Sequence, residues 1–429
     1  MKRRLFTQMI QEWRDNLWII LGLTIVSLAI WLFCSGIFST IRYYFLPMGF
    51  DEKDVYIVSI GNLTENAANY TDFGDETAEK NSDDLRAILS GIRQSPNVAY
   101  AGFTMLGAPY NASSNSPTYY MDGDLPDSIG FRGQSRFISP EVVKVLKLNS
   151  LTGKDEDYLV NKLKAGEILV SPDPYYEMKA QKARTFGDNG YPSYYRSADE
   201  LLGKFIHSSF DSVTRYYVAD KVELIRRNHF DYPYQGGVIT PIDETGIISA
   251  TDILIRMKPG CGEKFRQEFE STPELISRRN IYLYNLIPLS DNRKAVERSY
   301  ELNIRLHIIL IAFLILILFL GLFGTFWFRM RQRVSEIAIR RVCGASRADI
   351  FRRVIAEGMT LLLAASVIAA IVGWIIVKKT DVIKGYSTSE ILWFELATMA
   401  IVAIGIIISV AYPAWTAMNI QPAVAVRDE

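Results

Sequence analysis

Residues 16–41 contain no Asp, Glu, Lys or Arg. Such a run exceeds the ~20 residues a helix needs to cross the hydrocarbon core, and it is too long for the apolar part of a cleavable signal. No small-x-small cleavage pattern follows it. Cys34 is preceded by Trp31, Leu32 and Phe33, where a lipidation signal needs a small residue. The stretch 17–41 therefore reads as an uncleaved transmembrane helix. Three further apolar segments, 302–328, 358–377 and 392–413, read the same way, the last ending at Tyr412-Pro413, where the proline ring restricts a helix. Residues 378–391 form a short external loop and 414–429 a tail.

Charge placement orients these helices. Residues 1–15 carry four basic against two acidic groups, and 329–357 carry eight Arg against three acids. Residues 42–305 hold 31 basic and 37 acidic groups. The excess of Lys and Arg near the membrane marks the inner side, so both termini are expected inside and the long 42–301 segment outside. Residues 1–16 place Leu5, Phe6, Met9, Ile10 and Trp13 at helical spacing, which predicts an amphipathic helix on the inner surface. A plain basic start to the first membrane helix is the alternative, and it gives the same orientation. On this topology Cys34, Cys261 and Cys343 fall in the membrane, outside and inside, so no intramolecular disulfide is expected. With no C-x-x-C and with His207, His229 and His307 scattered, neither is a metal centre. Cys343 reads as a small packing residue.

The external segment begins and ends with the same unit. Residues 55–60 form a strand pattern. Leu85, Ile88, Leu89 and Ile92 mark one helix face, and 96–103 resumes an extended pattern. Near the other end, 253–257 reads as a strand, Phe265 and Phe269 lie four apart on a short helix, and 281–287 is a strand again. Two β-α-β units, about 52–104 and 251–288, make a split β-α-β sheet with both helices on one face. The insertion, about 105–250, reads as a second, mostly β lobe. It has strands near 167–170, 204–206 and 216–218, and a helix carrying Val142, Val143 and Leu146. Its Tyr and Pro clusters at 175–176, 191–195 and 232–234 are either loop packing or a binding surface. The expected fold class is a membrane protein with four transmembrane α-helices and a large α+β extracytoplasmic domain.

Residues 329–357 join two membrane segments. Glu336 stands four residues before Arg340, Gly344 breaks the helix, and Ser346 with Asp349 forms an S-x-x-D capping pattern. The positive-inside rule explains the arginines. It does not explain a helix, a break and a capped helix, which together predict a rigid elbow on which something docks. Gly321, Gly324, Gly373 and Gly405 are expected to let membrane helices approach closely.

Enzyme motifs are missing. The chain has no H-E-x-x-H, G-x-S-x-G or G-x-x-x-x-G-K-[ST] pattern; Gly153-Lys154 and Gly203-Lys204 continue with Asp155 and Phe205. Any ATP is thus expected on another chain, and no cofactor on this one. No charge sits mid-membrane, which argues against an ion channel or proton-coupled transporter. The basic run lies against a membrane, so nucleic acid is not an expected partner.

The stretches SEIAIRRVCGASRADIFRRVIAE (335–357) and YPAWTAMNIQPAVAVRDE (412–429) resemble the MacB/FtsX-like family of ABC transporter permeases, which includes the lipoprotein-releasing permeases. The layout of one helix, an external domain and three helices is similar as well. The resemblance implies a non-catalytic half-transporter of a bacterial inner membrane that pairs with a second copy of itself or a paralogous permease. It also implies a separate cytoplasmic ABC ATPase subunit. A periplasmic adaptor and an outer-membrane channel are partners it leaves open. Glu336, Ile337, Arg340, Arg341, Gly344, Ala345 and Ser346 match the family's coupling segment and are expected to form or shape the contact with the ATPase. The implied mechanism is mechanotransmission, in which ATP hydrolysis by the partner moves the external domain, whose split β-α-β part is porter-like. Two departures stand out: the chain starts at its membrane anchor with no ATPase domain, and Trp415 and Thr416 stand where many members carry basic residues. An FtsX-like regulator of a cell-wall hydrolase is the alternative, and a membrane sensor a weaker third reading.

Overall fold

The computed structural model describes residues 13–111, 115–122, 130–171, 198–230, 236–246, 248–379 and 388–418. It falls into two units, one of residues 1–41 with 301–429 and one of residues 42–300. The expected amphipathic helix lies largely outside the described residues. So do most of the 378–391 loop and the three Tyr and Pro clusters.

In the 42–300 unit, β1 (Val55–Asn62), α2 (Thr77–Gln94) and β2 (Val98–Met105) form the first β-α-β unit; α1 (Trp13–Tyr44) precedes them. The second unit comprises β9 (Asp252–Met257), α5 (Gly262–Ser271) and β11 (Ile281–Pro288), with a single-turn α6 (Pro273–Ile276) and the two-residue edge strand β10 (Ser277–Arg278) between the last two. The strands lie in the order β11-β1-β9-β2, with β1 antiparallel to both β11 and β9. That interleaving is the split β-α-β arrangement. Both helices cover one face because their apolar stripes, Leu85, Ile88 and Ile92 on α2 and Phe265 and Phe269 on α5, bury against Val58, Phe103 and Ile255. The polar groups buried on α2 are partnered, Ser82 Oγ accepting from Ile248 N–H at 2.9 Å and Asp84 Oδ2 from Arg279 Nε at 2.7 Å.

The insertion supplies β3 (Thr118–Met121), β4 (Gly130–Ile138), β5 (Ile168–Ser171), β6 (Phe205–Ser208), β7 (Asp211–Lys221) and β8 (Gly236–Pro241). These pair in the order β4-β3-β6-β7-β5-β8, and β8 returns to pair with β4 in parallel from Gly133↔Gly236 to Ile138↔Pro241. The six strands thus close into a ring with few free edges, filled by Tyr119, Met121, Ile206, Val218 and Val238. The ring is not a detached lobe. β2 pairs with β4 through Thr104↔Ile138, so one sheet of eleven strands runs through the whole unit. Two inserted helices, α3 (Val142–Leu146) and α4 (Glu156–Lys164), cover the second face of the first sheet, where Val55, Ile57 and Leu254 pack on Val142, Leu146 and Leu159.

On that face Arg256 of β9 is buried and binds backbone. Its Nε donates to the Val145 carbonyl at 2.6 Å, Nη1 to Lys53 at 2.9 Å and Nη2 to Asp51 at 2.7 Å. Burial alone would raise the Asp51 carboxyl, but Lys147 Nζ at 2.9 Å and Arg256 outweigh it and hold it below its usual range. Glu141 behaves alike: burial opposes and Lys164 and Arg93 prevail. A carboxyl lowered by folding stabilises the fold above its unfolded pKa, and that contribution disappears as pH falls through the folded value. The unfolding temperature of this unit should stay level from pH 7 to about 5 and drop below about 4. Asp51→Asn should make the drop shallower in a thermal titration.

The other unit contributes three more long helices and one short one. α7 (Leu289–Gln332), α8 (Val334–Val342), α9 (Arg347–Lys379) and α10 (Thr388–Met418) follow in order. With α1, four helices among the described residues are long and apolar enough to cross a membrane. Three expectations are corrected here. The helix that carries the apolar segment 302–328 does not begin near 302. It begins at Leu289, because hydropathy registers the solvent and not the helix, and the polar turns before 302 are helical too. The last helix does not stop at Tyr412-Pro413 but continues to Met418. A proline forfeits one backbone hydrogen bond, and the fully buried Val410 and Ala414 on either side hold the helix together. Finally, an added methyl at Gly321 or Gly324 would meet nothing within 4 Å, so these glycines mediate no close approach among the described residues. Gly358 does, its Cβ position lying 2.9 Å from Ile406 Cγ2.

Candidate functional site

Arg333 is the single residue between α7 and α8. Its N–H donates to the Arg329 and Met330 carbonyls at 3.1 and 3.3 Å, and its own carbonyl accepts from Ile337 N–H at 3.0 Å, so the joint residue itself keeps both backbone hydrogen bonds. α8 then ends at a left-handed residue, Gly344, with φ +95°. The Ala345 N–H donates to the Arg340 carbonyl at 3.0 Å, closing the six-residue loop of a Schellman terminus, which a glycine adopts without Cβ strain. The next helix is capped reciprocally: Asp349 N–H donates to Ser346 Oγ at 3.1 Å, and Ser346 Oγ and N–H donate to Asp349 Oδ2 at 2.6 and 3.2 Å. The end of α8 and the start of the next helix are thus satisfied locally.

Packing then fixes how α8 sits. Ile337 and Ala338 are buried; Ile337 joins Met330, Ile350, Val354 and Val410 in the helix-bundle core. The opposite side is open, with Ile339 58% and Val342 71% exposed beside the Glu336–Arg340 ion pair. Ile337, expected among the contact residues, therefore shapes the elbow and is not on its surface. Ile339 and Val342 occupy the surface, and the apolar spacing alone did not distinguish the two sides. Cys343, just past the last turn of α8, is exposed and not a packing residue. The backbone of Arg341 lies on α8; its side chain lies outside the described residues.

Deeper in, Glu357 of α9 accepts from Arg329 Nη1 at 3.1 Å and from Arg333 Nη1 at 3.0 Å. Its two partners lie 28 and 24 residues back in the chain, a separation that local spacing does not reveal. The four-residue spacing of the two arginines was the available signal. At the edge of the elbow, Trp327 of α7 stacks on Tyr412 of α10 at 5.7 Å, and Tyr412 on Trp415 at 6.2 Å. Arg331 Cζ lies 5.7 Å from the Trp327 ring centre. Trp415 thus extends an aromatic stack where a basic residue was the alternative. Among the described residues no group of three or more His, Cys, Asp or Glu side chains is placed to hold a metal ion.

Residues 308–422 match the family model described as FtsX-like permease C-terminal. No curated protein matches the chain. Among solved structures, the extracellular domain of the noncanonic ABC-type transporter YknZ from Gram-positive bacteria is similar at 11% identity, covering 53% of this chain and 100% of that one, with a TM-score of 0.28. The periplasmic region of MacB from Actinobacillus actinomycetemcomitans is similar at 13% identity, covering 61% of this chain and 97% of that one, also with a TM-score of 0.28.

Proposed function

We propose, from the match of residues 308–422 to the FtsX-like permease C-terminal model, that the protein is the permease subunit of a MacB-like ABC transporter. Permeases of this family work with ABC ATPase partners. In this reading a separate cytoplasmic ATPase grips the elbow, its closing on ATP tilts the membrane helices, and the external domain moves to displace a substrate outside the membrane of a bacterial cell. Two permease chains, identical or paralogous, are needed to face the two halves of an ATPase dimer. The excess of Lys and Arg in residues 1–15 and 329–357 supports an elbow on the inner side of the membrane. The 308–422 match is shared by an FtsX-like regulator of a cell-wall hydrolase. The large insertion, closed into its own ring, favours the transporter, since activating a hydrolase does not require a domain of that size.

The observation that carries the reading is the elbow surface. A short helix with a closed C-terminal end and one side seated in the bundle presents Ile339 and Val342 outward, flanked by charge. An amphipathic helix offered this way suits a groove on a partner. Ile339→Glu and Val342→Glu should each reduce capture of the ABC ATPase subunit on co-purification at least tenfold, ~1.4 kcal/mol or more of binding. Both side chains are mainly exposed, so thermal stability should not change. Undiminished capture by both variants would remove the elbow from the interface.

A further inference from the structure

We propose that Glu357 is a positioning residue that locks the angle between the second membrane helix and the elbow helix. The inference rests on the reading of the elbow as the place where the ATPase acts. Arg329 lies in the last turns of α7 and Arg333 is the joint itself, and one carboxylate from α9 holds both, reaching back 28 and 24 residues. Only a narrow range of joint angles keeps both guanidiniums within hydrogen-bonding distance of the same two oxygens. Glu357 is 8% exposed and Arg329 also 8%, so neither can be a contact residue for a partner. They act through the position of α8. A push on Ile339 and Val342 then moves the ends of α7 and α9 together instead of folding the joint.

Stability alone does not call for this arrangement. Buried ion pairs gain little over well-packed apolar groups, and their attested advantage is specifying one geometry. That separation makes the role measurable. In the full chain in lipid nanodiscs, with Cys34→Ala and Cys261→Ser, spin labels are placed on the native, exposed Cys343 at the end of α8 and on Leu320→Cys, an exposed position of α7. The distance distribution between them reads the joint. The parent should give one narrow peak. Glu357→Gln should at least double its width, and so should the triple variant Arg329→Met, Arg333→Met, Glu357→Met, whose unfolding temperature should match or exceed that of the parent. If Glu357→Gln does not fold, the triple variant decides. An unchanged width in the folded variants would overturn the proposal. Loss of the docking reading would appear elsewhere, as ATPase capture that Ile339→Glu and Val342→Glu leave intact, so the two failures are distinguishable.

Discussion

Gly49→Ala is expected to destabilise the 42–300 unit by about 3 kcal/mol, lowering its unfolding temperature by about 6 to 12 °C. Gly49 has φ +75°, and an alanine Cβ there would lie 2.2 Å from the Leu224 carbonyl oxygen and 2.7 Å from its carbon. The obstacle is backbone, which no rotamer change relieves. Nor can the segment move aside freely. Arg226 N–H donates to the Met48 carbonyl at 3.1 Å, its Nη1 donates to the Leu46 carbonyl at 3.0 Å, and Asp51 N–H donates to the Leu146 carbonyl at 2.9 Å. Left-handed strain alone costs about 1 to 2 kcal/mol, and displacing the 224–225 loop adds the rest. Gly153→Ala is the matched control, with φ +79° and open space around its Cβ position, so strain alone should appear there. Equal effects at Gly49 and Gly153 in thermal unfolding would show that the close approach carries no energy.

Ile337→Asp should unseat the elbow. It puts a carboxylate among Met330, Ile350, Val354 and Val410, where an unpaired charge costs several kcal/mol, more than a short helix gains from its own hydrogen bonds. The stretch 329–357 holds eight arginines, each a trypsin site once the backbone leaves its helices. Limited trypsin digestion should cut Ile337→Asp at the elbow at least ten times faster than the parent, while Val342→Glu, exposed to begin with, should remain as resistant as the parent. Both should lose ATPase capture, for different reasons: one lacks the surface and the other lacks the support beneath it. Parent-like resistance in Ile337→Asp would mean that the seat of α8 lies elsewhere.

How much of this was legible in the chain depended on distance along it. The capped start at Ser346 and Asp349 and the break at Gly344 rest on interactions within five residues. Both appear as read. The stripes on α2 and α5 were equally plain, since burial of one helix face repeats every three to four residues. Less was visible in the insertion. β5, β6 and β7 carried recognisable strand patterns, whereas β3, β4 and β8, rich in Tyr, Gly and polar residues, did not. The side of α8 that faces the bundle was also hidden, since Ile337, Ile339 and Val342 are equally apolar.

Four membrane-length segments, a duplicated β-α-β unit and a basic, capped elbow were determined by the sequence itself, because composition, periodicity and capping act over a few residues. The closure of the ring between residues 133–138 and 236–241, the seating of Ile337 and the grip of Glu357 on Arg329 and Arg333 were decided only in the tertiary structure. Each joins groups far apart in the chain, and no local pattern records which distant carboxylate or strand edge a residue will meet when the helices and sheets pack.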